Sequence, residues 1–128
     1  GETEIMHAKY SQMPQIIEHA SFGLAICKND LGISLDAAMP TKIAEFLAVG
    51  RPVIINSRLG DCRQILCDNS VAVVIDDFSG IDEALLKINS LLRDPKTPSN
   101  CRNIAKNFFS LEFAARKYLE LYENIIKS

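Results

Sequence analysis

The residue types best placed to do chemistry are Thr41, Lys42 and Glu45, within the stretch from Met39 to Ile55. Proline at 40, apolar residues at 43, 46 and 47, and glycine at 50 spell a helix with a start and a stop signal. The first-turn amides of such a helix lack intrahelical partners and carry the positive end of its dipole. Thr41 and Lys42 therefore offer a phosphate two backbone donors, to which the Lys42 ammonium adds charge. One turn on, Glu45 is oriented to accept hydrogen bonds from hydroxyl groups. The plain alternatives are a surface Lys42 paired with Glu45 or Glu18, and a solvated Glu45.

Position along the chain gives the stretch its weight. Phe22 to Cys27 is a continuous apolar run ended by Lys28-Asn29-Asp30, as expected of a strand buried on both faces of a parallel sheet. A loop from Asn29 to Met39 feeds the helix, and ligands of open α/β sheets bind at such carboxyl ends of strands. Val53 to Asn56 and Val71 to Ile75 read as further buried strands, with a short helix over about Asp61 to Cys67 between them. Upstream, Ile5 to Lys9 reads as a short strand, and Pro14 suits the first turn of a helix over Met13 to Ala20. Downstream, Asp82 to Leu92 is amphipathic, Pro95 to Pro98 breaks it, and helices over Asn100 to Asn107 and Leu111 to Lys127 follow. Alternating strand and helix predict an α/β, three-layer Rossmann-like sandwich with three or four parallel strands and a helical carboxyl terminus.

Composition sets the bounds. The 128 residues, 48% hydrophobic and 23% charged, suit one domain with one core. A net charge of -2 gives no basic surplus for nucleic acid. The four cysteines, Cys27, Cys62, Cys67 and Cys101, form no C-x-x-C pair and read as reduced structural thiols, with no metal expected. No run is long enough to span a membrane and no signal pattern opens the chain, so a cytoplasmic protein is expected, with a peripheral membrane role open to its parent. His19 lies on an amphipathic helix and reads as a surface or packing residue. Tyr118 and Tyr122, four apart, share a helix face that packs on the sheet or on a further domain.

Glu45, Ala48, Gly50, Pro52, Val53 and Ile54 match the second half of a pattern in which a glutamate, seven residues and a second glutamate precede Ala-x-Gly-x-Pro-Val-Ile. On these residues the chain resembles the donor-binding domain of GT-B-fold retaining glycosyltransferases of the group 1, family 4-like kind, over about residues 14 to 127. The resemblance implies that Glu45 holds the ribose hydroxyls of a nucleoside diphosphate sugar and that amides at Thr41 and Lys42 hold its diphosphate. The family's first glutamate falls at Ala37 here. Either Asp36 takes its place through a shifted loop, or the chain belongs to the subset with Pro-Thr-Lys-x-x-Glu that handles the sugar differently. Ser57 to Asp61, with Gly60, stand in the place of the family's glycine-containing loop, where a tight turn brings backbone close to ligand. Phe109 to Glu112 and Tyr118 to Tyr122 resemble its closing helices.

The expected parent activity is transfer of a sugar from a UDP- or GDP-linked donor to a glycan or lipid acceptor with retention. Asp36 and Lys42 would be nearest the reacting centre, with leaving-group stabilisation in place of a protein base. Complete donor domains of the family are longer, and an amino-terminal acceptor domain of the same parent chain is an expected partner. Alone, the chain is expected to be too short for an enzyme. The rival is a non-catalytic interaction or dimerisation module derived from the fold, with a homodimer through a sheet edge open to it. Nucleotide-sugar epimerases share the fold but not the Pro-Thr-Lys-x-x-Glu element.

Overall fold

The computed structural model describes residues 1–26, 41–56 and 60–127. Three strands, β1 (Gly23–Ala25), β2 (Val53–Asn56) and β3 (Ala72–Ile75), form a parallel sheet in the order β1-β2-β3. Leu24, Ile54 and Val73 stand in register, as do Ala25, Ile55 and Val74. Parallel neighbours need a crossover, and two helices supply it: α2 (Thr41–Val49) between β1 and β2, and α3 (Gly60–Asp68) between β2 and β3. Ahead of them α1 (Met13–Glu18) follows a 3-10 turn over Tyr10–Gln12, and after them come α4 (Ile81–Arg93), α5 (Thr97–Phe108) and α6 (Leu111–Lys127).

The strand pleat sorts the core into two halves. On one face Val53 and Ile55 meet Ile43 and Leu47 of α2, Cys62 and Leu66 of α3, and Cys101 and Ile104 of α5. On the other, Ile54, Val73 and Ile75 meet Ala84 and Ile88 of α4, with Phe22 and Leu91 beside them. Helices on both faces of a parallel sheet make the three layers the alternation predicts.

Both crossover helices stop the same way. Gly50 at φ 89° sends its N–H to the Leu47 carbonyl, while Arg51 N–H reaches that of Phe46, each at 2.9 Å. Ser70 at φ 55° sends its N–H to Cys67 and Val71 sends its own to Leu66, at 3.1 and 3.2 Å. These are Schellman closures, which turn the chain sharply into the next strand. Glycine suits the left-handed cap; a serine there carries a steric cost.

Several expectations are corrected. Residues 5–9 are in no strand; their apolar run has no neighbouring strand among the described residues, and pairing, not propensity, makes a strand. The strand expected over Phe22 to Cys27 is short and not buried on both faces: Leu24 is 63% exposed and Ile26 42%, because α4 packs on β3 and β2 and leaves the face over β1 open. The break expected over Pro95 to Pro98 ends sooner, because Pro98 sits in the first turn of α5, where a missing N–H costs nothing. No residue of α6 is buried, so Tyr118 and Tyr122, 63% and 62% exposed, do not pack on the sheet.

Candidate functional site

Helix α2 divides its faces by the 3.6-residue period. Ile43 and Leu47 are fully buried, whereas Thr41, Glu45 and Ala48, at spacings of four and three, run along the outer side. Three contacts fix this helix. Ile43 and Leu47 anchor it to β2, the glycine cap ends it, and Gly23 lets the Phe46 ring lie against β1. A Cβ at Gly23 would stand 2.5 to 2.8 Å from three ring atoms of Phe46.

Helix α5 lies along α2 and runs the other way: Arg102 reaches Gly50 at the end of α2, while Phe109 and Ser110 approach Thr41 at its start. Between them opens a cleft of about 520 Å³, within the range of small-molecule sites. Thr41 and Glu45 line it on one side, Arg102, Lys106 and Ser110 on the other, with Tyr10 at the end. Tyr10, Glu45 and Ala48 also wall a neighbouring groove of about 380 Å³, otherwise lined by Met13, Pro14, Ile17 and Val49. Tyr10 is held by the turn before α1, where Gln12 N–H reaches the Lys9 carbonyl at 2.9 Å. Ile17, buried, seats α1, and an Arg51 Nη2 donor at 2.7 Å from the Glu18 carbonyl ties α1 to the end of α2.

The cleft thus sets two cations and one carboxylate beside hydroxyl donors and next to an apolar, aromatic groove. Arg102 and Lys106 are four apart on one helix face, a like-charge spacing that costs a few tenths of a kcal/mol in an isolated helix. Among the described residues neither has an ion-pair partner; the exposed pairs are Lys87 with Glu83 and Lys117 with Glu120. An anion between them would turn that repulsion into binding.

Of the expected site residues, the fold brings Thr41 and Glu45 to one cleft. Lys42, one residue and about 100° around the helix, is exposed and does not line it, and no ion pair joins it to Glu18 or Glu45. Gly60 opens α3 beyond β2, apart from this cleft. Asp36 lies outside the described residues, as does the loop from 57 to 59. Tyr10, Arg102 and Lys106 escaped the sequence. The one available signal was the four-residue spacing of Arg102 and Lys106, which has no meaning until α5 is known to pack on α2.

Among the described residues, none of the three thiols has a lowered pKa. Cys62 and Cys101 are buried, and burial pushes each up to about 11, with the neighbouring Cys67 adding to the shift at Cys62. Cys67 is exposed, and partial desolvation still raises its thiol despite the opposing Arg63 charge. No three His, Cys, Asp or Glu side chains converge as a metal set among the described residues. No helix there is long and apolar enough to cross a membrane. Comparison with protein-family models, curated proteins and solved structures gives no match to this chain.

Proposed function

We propose that this chain is the carboxyl-terminal, donor-binding part of a GT-B-fold retaining glycosyltransferase that takes a nucleoside diphosphate sugar. The carrying observation is that Thr41 and Glu45 open into one cleft opposite Arg102 and Lys106. A nucleotide laid along α2 would meet each group in turn. The diphosphate would sit at the first-turn amides of Thr41 and Lys42, the ribose hydroxyls at Glu45, and the base against Tyr10 in the apolar groove. The positive end of a helix stabilises a departing diphosphate, which gains negative charge as the bond breaks, more than the bound donor, so the first-turn amides of α2 would lower the barrier to cleavage of the sugar–phosphate bond.

In this proposal Asp36, which precedes α2 in the sequence, serves the transferred sugar. The acceptor, a glycan or lipid, belongs to an amino-terminal domain of the parent. The parent works in the cytoplasm or at the inner membrane face. Calorimetric titration of UDP, GDP and their sugars into the chain, beside Glu45→Ala, tests it. Loss of a carboxylate that accepts two hydroxyl donors weakens binding about ten- to hundredfold, the weight of roughly 1.5–3 kcal/mol for hydrogen bonds to a charged group. Equal binding by wild type and Glu45→Ala removes Glu45 from the site.

The second reading, a non-catalytic interaction module, draws on α6. Leu111, Tyr118, Leu121, Tyr122 and Ile125 are all more than half exposed along it, a larger apolar stripe than a solitary domain usually shows. Failure of every nucleotide to bind, with the fold intact, favours this reading.

A further inference from the structure

Hydrogen-bond alternation fixes what each edge of the sheet offers. Val53 N–H donates to the Val71 carbonyl at 3.0 Å. In a parallel ladder alternate residues serve the same neighbour, so Val71, Val73 and Ile75 face β2 while the N–H and C=O groups of Ala72 and Val74 face away. At the opposite edge Gly23 N–H donates to the Pro52 carbonyl at 2.9 Å, which turns Gly23 and Ala25 toward β2 and leaves Leu24 alone in β1 facing outward. The β3 edge is therefore the better template for another strand.

That edge runs along the floor of a groove of about 450 Å³ between α3 and α4, walled by Arg63 and Cys67 on one side and Lys87, Ser90 and Leu91 on the other. Its charged lining is Arg63 on one wall and, on the other, Lys87, whose ammonium pairs with Glu83 at 2.7 Å. The strand itself, Ala-Val-Val-Ile, carries no proline, charge or bulge of the kinds that protect edges. Elsewhere in the same chain residues 1–9 form no element, and Ile5 is 90% and Met6 51% exposed. Glu2-Thr3-Glu4-Ile5 alternates two carboxylates with two β-branched residues, a pattern suited to an edge strand.

We propose that residues 2–5 of a second copy add to the β3 edge as a fourth strand, and reciprocally, so that the chain forms a two-fold dimer. Glu2 and Glu4 would lie on the Arg63 side and Ile5 on the Leu91 side. The exchange is between copies because of reach. The five residue steps from Ile5 to Tyr10 span at most about 17 Å. The route from Tyr10, beside α2, to the β3 edge crosses two strand spacings and goes round a helix layer, about 20 Å in all.

Sedimentation velocity of the full chain over a wide concentration series tests the proposal. The 14.2 kDa chain should pass to a species of twice that mass as concentration rises. Val74→Pro should stay monomeric, because it removes an N–H that points out of the sheet and leaves the β2–β3 ladder whole. Should that variant fail to fold by circular dichroism, Glu2→Lys with Glu4→Lys, in a segment with no folded role, should abolish the dimer equally. Adding Arg63→Glu to that pair should restore it. A wild-type chain that is monomeric throughout overturns the proposal, as does a dimer that survives in folded Val74→Pro. A dimer lost in Val74→Pro but indifferent to Glu2→Lys with Glu4→Lys overturns the assignment of residues 2–5 as the added strand.

Discussion

Gly23→Ala places one methyl group where β1 meets α2, and its consequence is expected at a site Gly23 does not touch. The new Cβ would lie 2.5, 2.7 and 2.8 Å from three atoms of the Phe46 ring, against an ordinary contact of 3.4 Å or more. The ring must withdraw by most of an ångström. It cannot do so freely, because Phe46 packs against the core cluster and stands between Ile43 and Leu47, both fully buried. Either the ring leaves its place or α2 shifts, and overpacking of this kind costs about 1–3 kcal/mol. For a domain of this size that is a fall in Tm of roughly 4–10 °C. Because α2 carries Thr41 and Glu45 on its outer side, nucleotide affinity should fall with it. Thermal melts by circular dichroism read the first effect and calorimetry the second. Phe46→Leu added to Gly23→Ala should recover part of the lost Tm, since the smaller side chain vacates the contact. A Gly23→Ala melt indistinguishable from wild type would refute the claim that strand and helix are in contact at this glycine.

The two Schellman closures respond in opposite directions to substitution. Gly50→Ala forces a Cβ into a left-handed φ of 89° and should destabilise by about 1–2 kcal/mol, whereas Ser70→Gly should stabilise by roughly 0.5–1 kcal/mol, both read by chemical denaturation. The buried thiols set an alkaline limit. Cys62 and Cys101 stay protonated in the folded chain up to about 11 but ionise near 9 when unfolded, so the unfolded state binds fewer protons between those values. Stability should therefore fall as pH rises through that window, by up to roughly 1.4 kcal/mol per pH unit per thiol, and the fall should shrink in Cys62→Ala measured against its own neutral-pH stability. Native-state alkylation should label Cys67 first, since it alone of the three free thiols among the described residues is exposed.

Much of the architecture is local and so was legible in the chain. The bounds of α2 follow from Pro40 and Gly50, β2 from a run of Val and Ile between a proline and a polar end, and the parallel pairing from the alternation of strands with helices too long to be turns. Thr41 and Glu45 could be placed on one side of a helix because a period of 3.6 puts residues four apart together. The rest depends on pairs distant in sequence. Whether residues 5–9 form a strand depends on a neighbour to bond to, and whether β1 is covered depends on where α4 settles, neither of which is written in the segment itself. The cleft is the clearest case: Arg102 and Lys106 lie some sixty residues beyond Glu45, and only the packing of Cys101 and Ile104 into the core that Ile43 and Leu47 share turns those two cations toward it. Periodicity determines which face of a helix is apolar; the fit of one helix against another decides what its polar face looks onto.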